Sequence, residues 1–249
     1  MRKGIIFTAI LLGAALVFLP DIVKMTMHDL RMAHRKTTLA GKEYEGRAVS
    51  AYRNNNFNIY VFDADAARFG VSSKRPAGKR FYMNANFFTP SADPIGLLIE
   101  NGRKRSDATP GGGCFYVVGG RADLRRGACP PNATHASQTL LWAIDDGKVN
   151  SSLMTARHAR VLTYRNLVGK NRSGDIVIIA SRFGGIVSAS DVIDQGLRQG
   201  VVEGLLFDGG TSVEYAFDDG RYSSSFRSLT DLSKSILGID RPVSYIYVE

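Results

Sequence analysis

The sequence predicts an α+β fold: a single domain with a mixed, mainly antiparallel β-sheet core, one βαβ unit and few helices, preceded by an N-terminal hydrophobic leader helix. Three observations carry this. Short apolar runs bounded by Gly, Asn, Asp and Ser clusters recur from Tyr44 to the C-terminus, as half-buried strands do. Helical signals in the body are confined to Ser188–Gly200, with hydroxyl caps, early acids and a terminal glycine, and to a polar turn around Leu229–Ile236. No linker long enough to separate two domains interrupts residues 44–249, so the 249-residue chain is read as one core.

The N-terminus sets the compartment. Arg2-Lys3 precede an apolar run from Gly4 to Leu19 that ends at Pro20-Asp21, the pattern of a secretory signal or short signal anchor. The run is short for a membrane span, which needs about 20 residues, unless Ile22 and Val23 extend it. A buried helix of a globular domain is the competing reading. The expected division is therefore a signal peptide or anchor over residues 1–23, a basic tether over 24–43 and one domain over 44–249. The body is then extracytoplasmic, periplasmic or secreted, and held at the inner membrane through the N-terminal segment if the leader stays uncleaved.

Composition narrows the partners. A hydrophobic content of 44% fits an ordinary globular protein. The net charge of +9 favours anionic company: nucleic acid, a membrane surface, or a phosphorylated or acidic polysaccharide. No zinc-finger spacing, RNP-like aromatic motif or long Lys/Arg block appears, so nucleic acid is not expected. Cys114 and Cys129, in a Gly/Pro/Arg-rich segment, suit a disulfide in an oxidising compartment, which would stabilise by about 3 kcal/mol; two unrelated buried thiols are the alternative. No metal site or cofactor is expected from these residues.

Taken in order, Ala48–Tyr52 and Asn58–Phe62 read as strands on either side of Arg53–Asn56. Lys79–Met83 is a strand leading into Asn84-Ala85-Asn86, where turn asparagines and functional ones look alike. Ile95–Glu100 is a strand closed by the hairpin turn Asn101-Gly102. Gly111-Gly112-Gly113 leads into the aromatic strand Cys114–Val118, which suits a flexible approach to that strand better than a phosphate cradle. Ala136–Ile144 reads as one further strand, followed by the turn Asp145-Asp146-Gly147.

The second half brings residues together. Arg165–Gly169 and Asp175–Ala180 flank a turn cluster, and as a hairpin they place Arg165 across from about Ala180. Strand 176–180, helix 188–200 and strand 204–207 then form the expected βαβ unit, with parallel strands and a right-handed crossover. Ligands gather outside the carboxyl ends of such strands. Gly204–Phe207 ends there in Asp208-Gly209-Gly210-Thr211-Ser212, a carboxylate delivered to a tight loop with hydroxyls behind it. Alone, Asp208-Gly209-Gly210 reads as well as a simple turn; the geometry places it on one rim with Arg165. The final strand is expected over Ser244–Val248.

With these residues set out, the chain resembles the phosphodiester glycosidase family, to which the catalytic domain of the lysosomal uncovering enzyme belongs, and especially its small bacterial branch. Met83–Phe88 is similar to the family's Asn-Ala/Gly-Gly-aromatic loop, with Asn86 standing where the family usually has glycine. Pro94–Leu97 with Glu100-Asn101-Gly102 resembles its Pro-x-Gly-Leu hairpin, Arg165–Gly169 its Arg-x-x-x-Gly strand start, and Leu206–Ser212 its Leu-Asp-Gly-Gly-x-Ser loop. The resemblance implies cleavage of the bond between a sugar anomeric carbon and a phosphodiester oxygen in an envelope or extracytoplasmic glycan. The substrate would be an anionic sugar phosphate or polysaccharide.

On that reading Arg165 clamps phosphate oxygens. Asp208 serves as general base or nucleophile, and Asn84 orients the sugar or water. Substrate contacts are expected from Asn86, Gly96, Asn166, Gly209, Gly210, Thr211 and Ser212. Asp93 and Glu214 are the candidates for a second carboxylate. Two other classes fit the same loops and charge: a non-catalytic envelope glycan-binding module, and a basic protein docking to a membrane surface.

Overall fold

The computed structural model describes residues 36–155, 157–182, 184–218 and 242–249. The leader, residues 24–35 of the tether and the helical turn expected at 229–236 lie outside the described residues. No helix among the described residues is long and apolar enough to cross a membrane.

The strands, in chain order, are β1 (Gly41–Glu45), β2 (Val49–Arg53), β3 (Phe57–Phe62), β4 (Phe69–Ser72), β5 (Phe81–Asn84), β6 (Leu98–Glu100), β7 (Arg103–Ser106), β8 (Gly113–Val118) and β9 (Arg121–Arg126). They continue with β10 (His135–Thr139), β11 (Leu141–Asp145), β12 (Lys148–Val149), β13 (Asn166–Asn171), β14 (Ile176–Ser181), β15 (Val201–Phe207), β16 (Tyr215–Phe217) and β17 (Tyr245–Val248). The helices are α1 (Ser151–Thr155), α2 (Arg157–Arg160) and α3 (Ala189–Arg198).

Among the described residues the strands form three sheets: an eight-stranded one in the order β1-β2-β3-β14-β13-β15-β11-β12, a five-stranded one ordered β7-β6-β10-β8-β9, and a four-stranded one ordered β16-β5-β17-β4. The expected α+β class, with its single mixed sheet and βαβ unit, is thereby corrected to mostly antiparallel β-structure. Helix α3 does connect β14 to β15, but β13 lies between them and pairs antiparallel with both. The reason is local. The turn at 172–174 folds β13 back on β14 as a hairpin, so the edge that β15 would need is already occupied when the chain returns through α3.

The centre of the large sheet is buried on both faces, which explains why β14 reads as an unbroken β-branched run instead of an alternating one. Ile176, Ile178 and Ala180 join the core shared with the smaller sheets, together with Tyr60, Phe62, Phe81, Phe115 and Phe217. Val177 and Ile179 point the other way, toward Val192 and Ile193 of α3. That helix starts as its sequence suggests: Ser188 caps the Asp191 N–H, and the Asp191 carboxylate accepts from the Ser188 N–H.

The run 136–144 is two strands, not one. It breaks at Leu140 because Thr139 Oγ1 donates to the Leu206 carbonyl at 2.6 Å, and the chain passes from the five-stranded sheet to the eight-stranded one. The glycine triplet serves packing. A Cβ on Gly113 would stand 2.4 Å from the Trp142 ring and one on Gly112 1.9 Å from the Thr139 carbonyl. The turns Asn101-Gly102 and Asp146-Gly147 have positive φ at both residues, as two-residue hairpins require.

Cys114 and Cys129 are joined in a disulfide with Cα atoms 5.3 Å apart, tying β8 to the loop that follows β9. Replacing both by serine should lower the unfolding free energy by about 3 kcal/mol. Urea denaturation of the oxidised protein and the double variant measures this, and equal midpoints would show that the cross-link adds nothing.

Candidate functional site

Arg165 and Asp208 meet at one edge of the eight-stranded sheet, where β13 begins and β15 ends. Asn166 pairs with Phe207, which leaves Arg165 facing Asp208 across neighbouring antiparallel strands. The hairpin register sits one residue from expectation: Ala180 pairs with Asn166, and Ser181 faces Arg165. Ser181 fixes that arginine's backbone, its N–H donating to the Arg165 carbonyl at 2.9 Å and its Oγ accepting from the Arg165 N–H at 2.8 Å. The rim predicted from a parallel crossover thus arises from an antiparallel pair.

The end of β5 supplies the third component. Asn84 is fully buried, and its Nδ2 donates to the Asp208 carbonyl at 2.9 Å. Its Oδ1 accepts from Asn166 Nδ2 at 2.8 Å and from the Glu214 N–H at 2.9 Å. Asn166 is equally buried and donates also to the Asp208 carbonyl, at 3.1 Å. The Asp208 N–H donates to the Ala85 carbonyl at 3.0 Å. Both backbone groups of Asp208 are therefore held. Asn84 and Asn166, expected beside the substrate, turn their amides inward and position the loop.

Asn86 departs further from expectation. Its Oδ1 accepts from Ser137 Oγ at 2.6 Å and Ser244 Oγ at 3.0 Å, while Nδ2 donates to the Gln138 carbonyl at 2.9 Å. At 1% exposure its amide belongs to the framework, not to a ligand. Gly96 also serves the framework: its φ is +91°, and a Cβ there would stand 3.0 Å from the Gln138 carbonyl.

A cleft of about 440 Å³ opens at this edge. Arg165, Asp208, Gly209 and Gly210 form its polar side; Phe87, Phe88, Ile95, Leu140, Leu141, Leu206 and Phe207 form the rest. Gly209 is pressed against the segment that leads into β13, so that a Cβ would sit 2.6 Å from the Tyr164 carbonyl. The Gly210 N–H donates to that same carbonyl at 2.8 Å. Ser212 is buried on the short 3₁₀ turn Gly210–Ser212; Thr211 shares the turn, and its side chain falls outside the described residues. Burial of the Arg165 guanidinium lowers its pKa from the ordinary arginine value. It donates to the Val161 carbonyl at 2.8 Å.

The other two acids lie elsewhere. The Glu214 carboxylate pairs with Arg75 at 2.6 Å, and Asp93 sits exposed in a turn, accepting from Ser91 Oγ. Among the described residues lining the cleft, Asp208 supplies the one carboxylate. No group of three or more His, Cys, Asp and Glu among the described residues is placed to hold a metal ion. What the sequence reading missed is the apolar wall. Phe87-Phe88 adjoin the asparagine block and are a readable signal; Leu140-Leu141 are not, since their place in the cleft follows from a strand break between sheets.

The fold is similar to two solved structures. The zebrafish N-acetylglucosamine-1-phosphodiester alpha-N-acetylglucosaminidase catalytic domain, auto-inhibited by pro-peptide, is 13% identical with a TM-score of 0.58, over 85% of this chain and 82% of that one. A hypothetical protein from Synechocystis is 11% identical with a TM-score of 0.63, over 85% of this chain. The match spans 64% of the Synechocystis chain, under two thirds of its length. No protein-family model matches the chain, and no curated protein matches it in sequence. At these identities the likeness shows a related fold.

Asn84→Ala should cost about 3 kcal/mol, because it leaves one Asn166 amide hydrogen and the Glu214 N–H without their acceptor. Chemical denaturation tests this, and a loss under 1 kcal/mol would show that the interlock contributes little.

Proposed function

We propose that the chain is an extracytoplasmic hydrolase of the phosphodiester glycosidase kind, cleaving a bond between a sugar anomeric carbon and a phosphodiester oxygen. The observation that carries this is the placement of one arginine and one carboxylate face to face at the mouth of a single cleft. The related fold of a phosphodiester alpha-N-acetylglucosaminidase domain supports it, and the disulfide supports the compartment.

The chemistry follows from the charges. A phosphodiester leaving group departs as a stabilised anion, so cleavage needs charge neutralisation more than proton donation. Arg165, held in a partly desolvated position, neutralises the phosphate; its fork of N–H donors suits two oxygens at once. Asp208 faces the anomeric carbon. It either adds to that carbon as the electron pair of the C–O bond moves to the phosphate oxygen, giving a glycosyl ester that water then hydrolyses to release the sugar and the carboxylate, or takes a proton from the water that adds there instead. A cleft lined by a single carboxylate among the described residues is consistent with dispensing with a general acid. Gly209 permits the approach of the loop to Tyr164 that sets the Asp208 position. The +9 net charge draws anionic substrates toward the surface.

Asp208→Asn should lower turnover of a chromogenic sugar phosphodiester by at least about 10²-fold while leaving binding intact. Absence of turnover by the wild type on any sugar diester, with glycans still bound, would instead identify a binding module. Arg165→Ala should impair diesters by a larger factor than uncharged glycosides; equal losses on both would remove its phosphate role.

A further inference from the structure

The geometry points to a substrate that carries a hydrocarbon chain on its phosphate, an assignment that rests on the reading of Arg165 as the phosphate-binding residue. Beyond its polar side the cleft offers Phe87, Phe88, Ile95, Leu140 and Leu141. An aromatic ring alone would serve a sugar face as well, but the aliphatic side chains of Ile95, Leu140 and Leu141 present neither a π-face nor a hydrogen-bonding group to a hydroxyl.

The apolar character continues outward. Leu140 is 41% exposed, and Val161 and Leu162 are 50% and 41% exposed on the segment leading to Arg165. Three of the five large hydrophobic residues left exposed among the described residues thus stand at this mouth or on the chain entering it. The Val161 carbonyl accepts from the Arg165 guanidinium, which ties the backbone of this exposed segment to the cation of the cleft. An anionic head on Arg165 with an alkyl tail along this wall matches the cleft in charge and in polarity. A fully hydroxylated second substituent would lie against hydrocarbon with its hydroxyls unpaired.

Calorimetric titration of the full chain with methyl, butyl and octyl phosphate, each below its micelle concentration, tests the subsite without requiring turnover. Affinity should rise with chain length by up to about fourfold per methylene. Leu140→Ser, at an exposed position of the wall, should flatten that rise and leave methyl phosphate affinity unchanged. Arg165→Ala should weaken the whole series. Equal affinity for methyl and octyl phosphate, or a slope unaltered in the Leu140 variant, overturns the inference. Parallel assays of methyl and octyl diesters of a sugar 1-phosphate separate the two claims. Steep binding without turnover of either diester keeps the apolar subsite and removes the hydrolase reading. Flat binding with equal turnover of both keeps the hydrolase and removes the subsite.

Discussion

Two buried asparagine amides at the exit of β5 hold the three sheets in register, and the candidate site depends on them. Asn84 binds the eight-stranded sheet through Asn166 and the Asp208 carbonyl. Asn86 binds the five-stranded sheet through Ser137 Oγ and the Gln138 carbonyl, and the approach to β17 through Ser244. Between them Ala85 accepts from the Asp208 N–H and donates to the Ser244 carbonyl. Apolar packing alone would let the sheets slide by small steps. A buried amide tolerates no such shift, since each lost partner costs about 1–3 kcal/mol.

This interlock determines where charge ends up. With its N–H and carbonyl both tied, the Asp208 backbone is fixed at the cleft edge, across from Arg165. Glu214 shows the complementary case. Its N–H is fixed by Asn84, yet its carboxylate pairs with Arg75 close to Tyr82 and Tyr245. Burial, reinforced by the nearby Glu214 charge, raises the Tyr245 pKa, which keeps that phenol neutral. Two acids six residues apart in the chain thus have separate environments, one in the cleft and one neutralised outside it.

Strand positions were largely legible in the sequence, since β3, β5, β8, β14 and β15 are marked by short apolar runs and turn residues. Their partners were not. β5 pairs with β16 and β17, both beyond residue 210, and nothing in local periodicity encodes such a pairing. The error over β15 has the same origin: a strand–helix–strand order is compatible with a parallel neighbour or with an intervening hairpin strand, and only the sheet's edge occupancy decides. That Arg165 and Asp208 share one sheet edge was legible because each stands at a strand end. That the amides of Asn84, Asn86 and Asn166 turn to protein groups was not legible, because a side chain that binds substrate and one that binds backbone look identical in a sequence.

The same distinction bears on how much sequence such a fold needs. In β14, exchanging one β-branched residue for another changes a few methylene contacts, and the ladder is unaffected because its hydrogen bonds are made by backbone. At Asn86 no such exchange exists. A leucine would fill the volume but abandon Ser137, Ser244 and the Gln138 carbonyl, whereas an aspartate would set a charge against that carbonyl. This chain therefore combines interchangeable apolar residues along its strands with a few polar ones whose specific hydrogen bonds tie its sheets together. The candidate site lies at such a junction, where the Asp208 carbonyl accepts from Asn84 and Asn166 and the Asp208 N–H donates to Ala85.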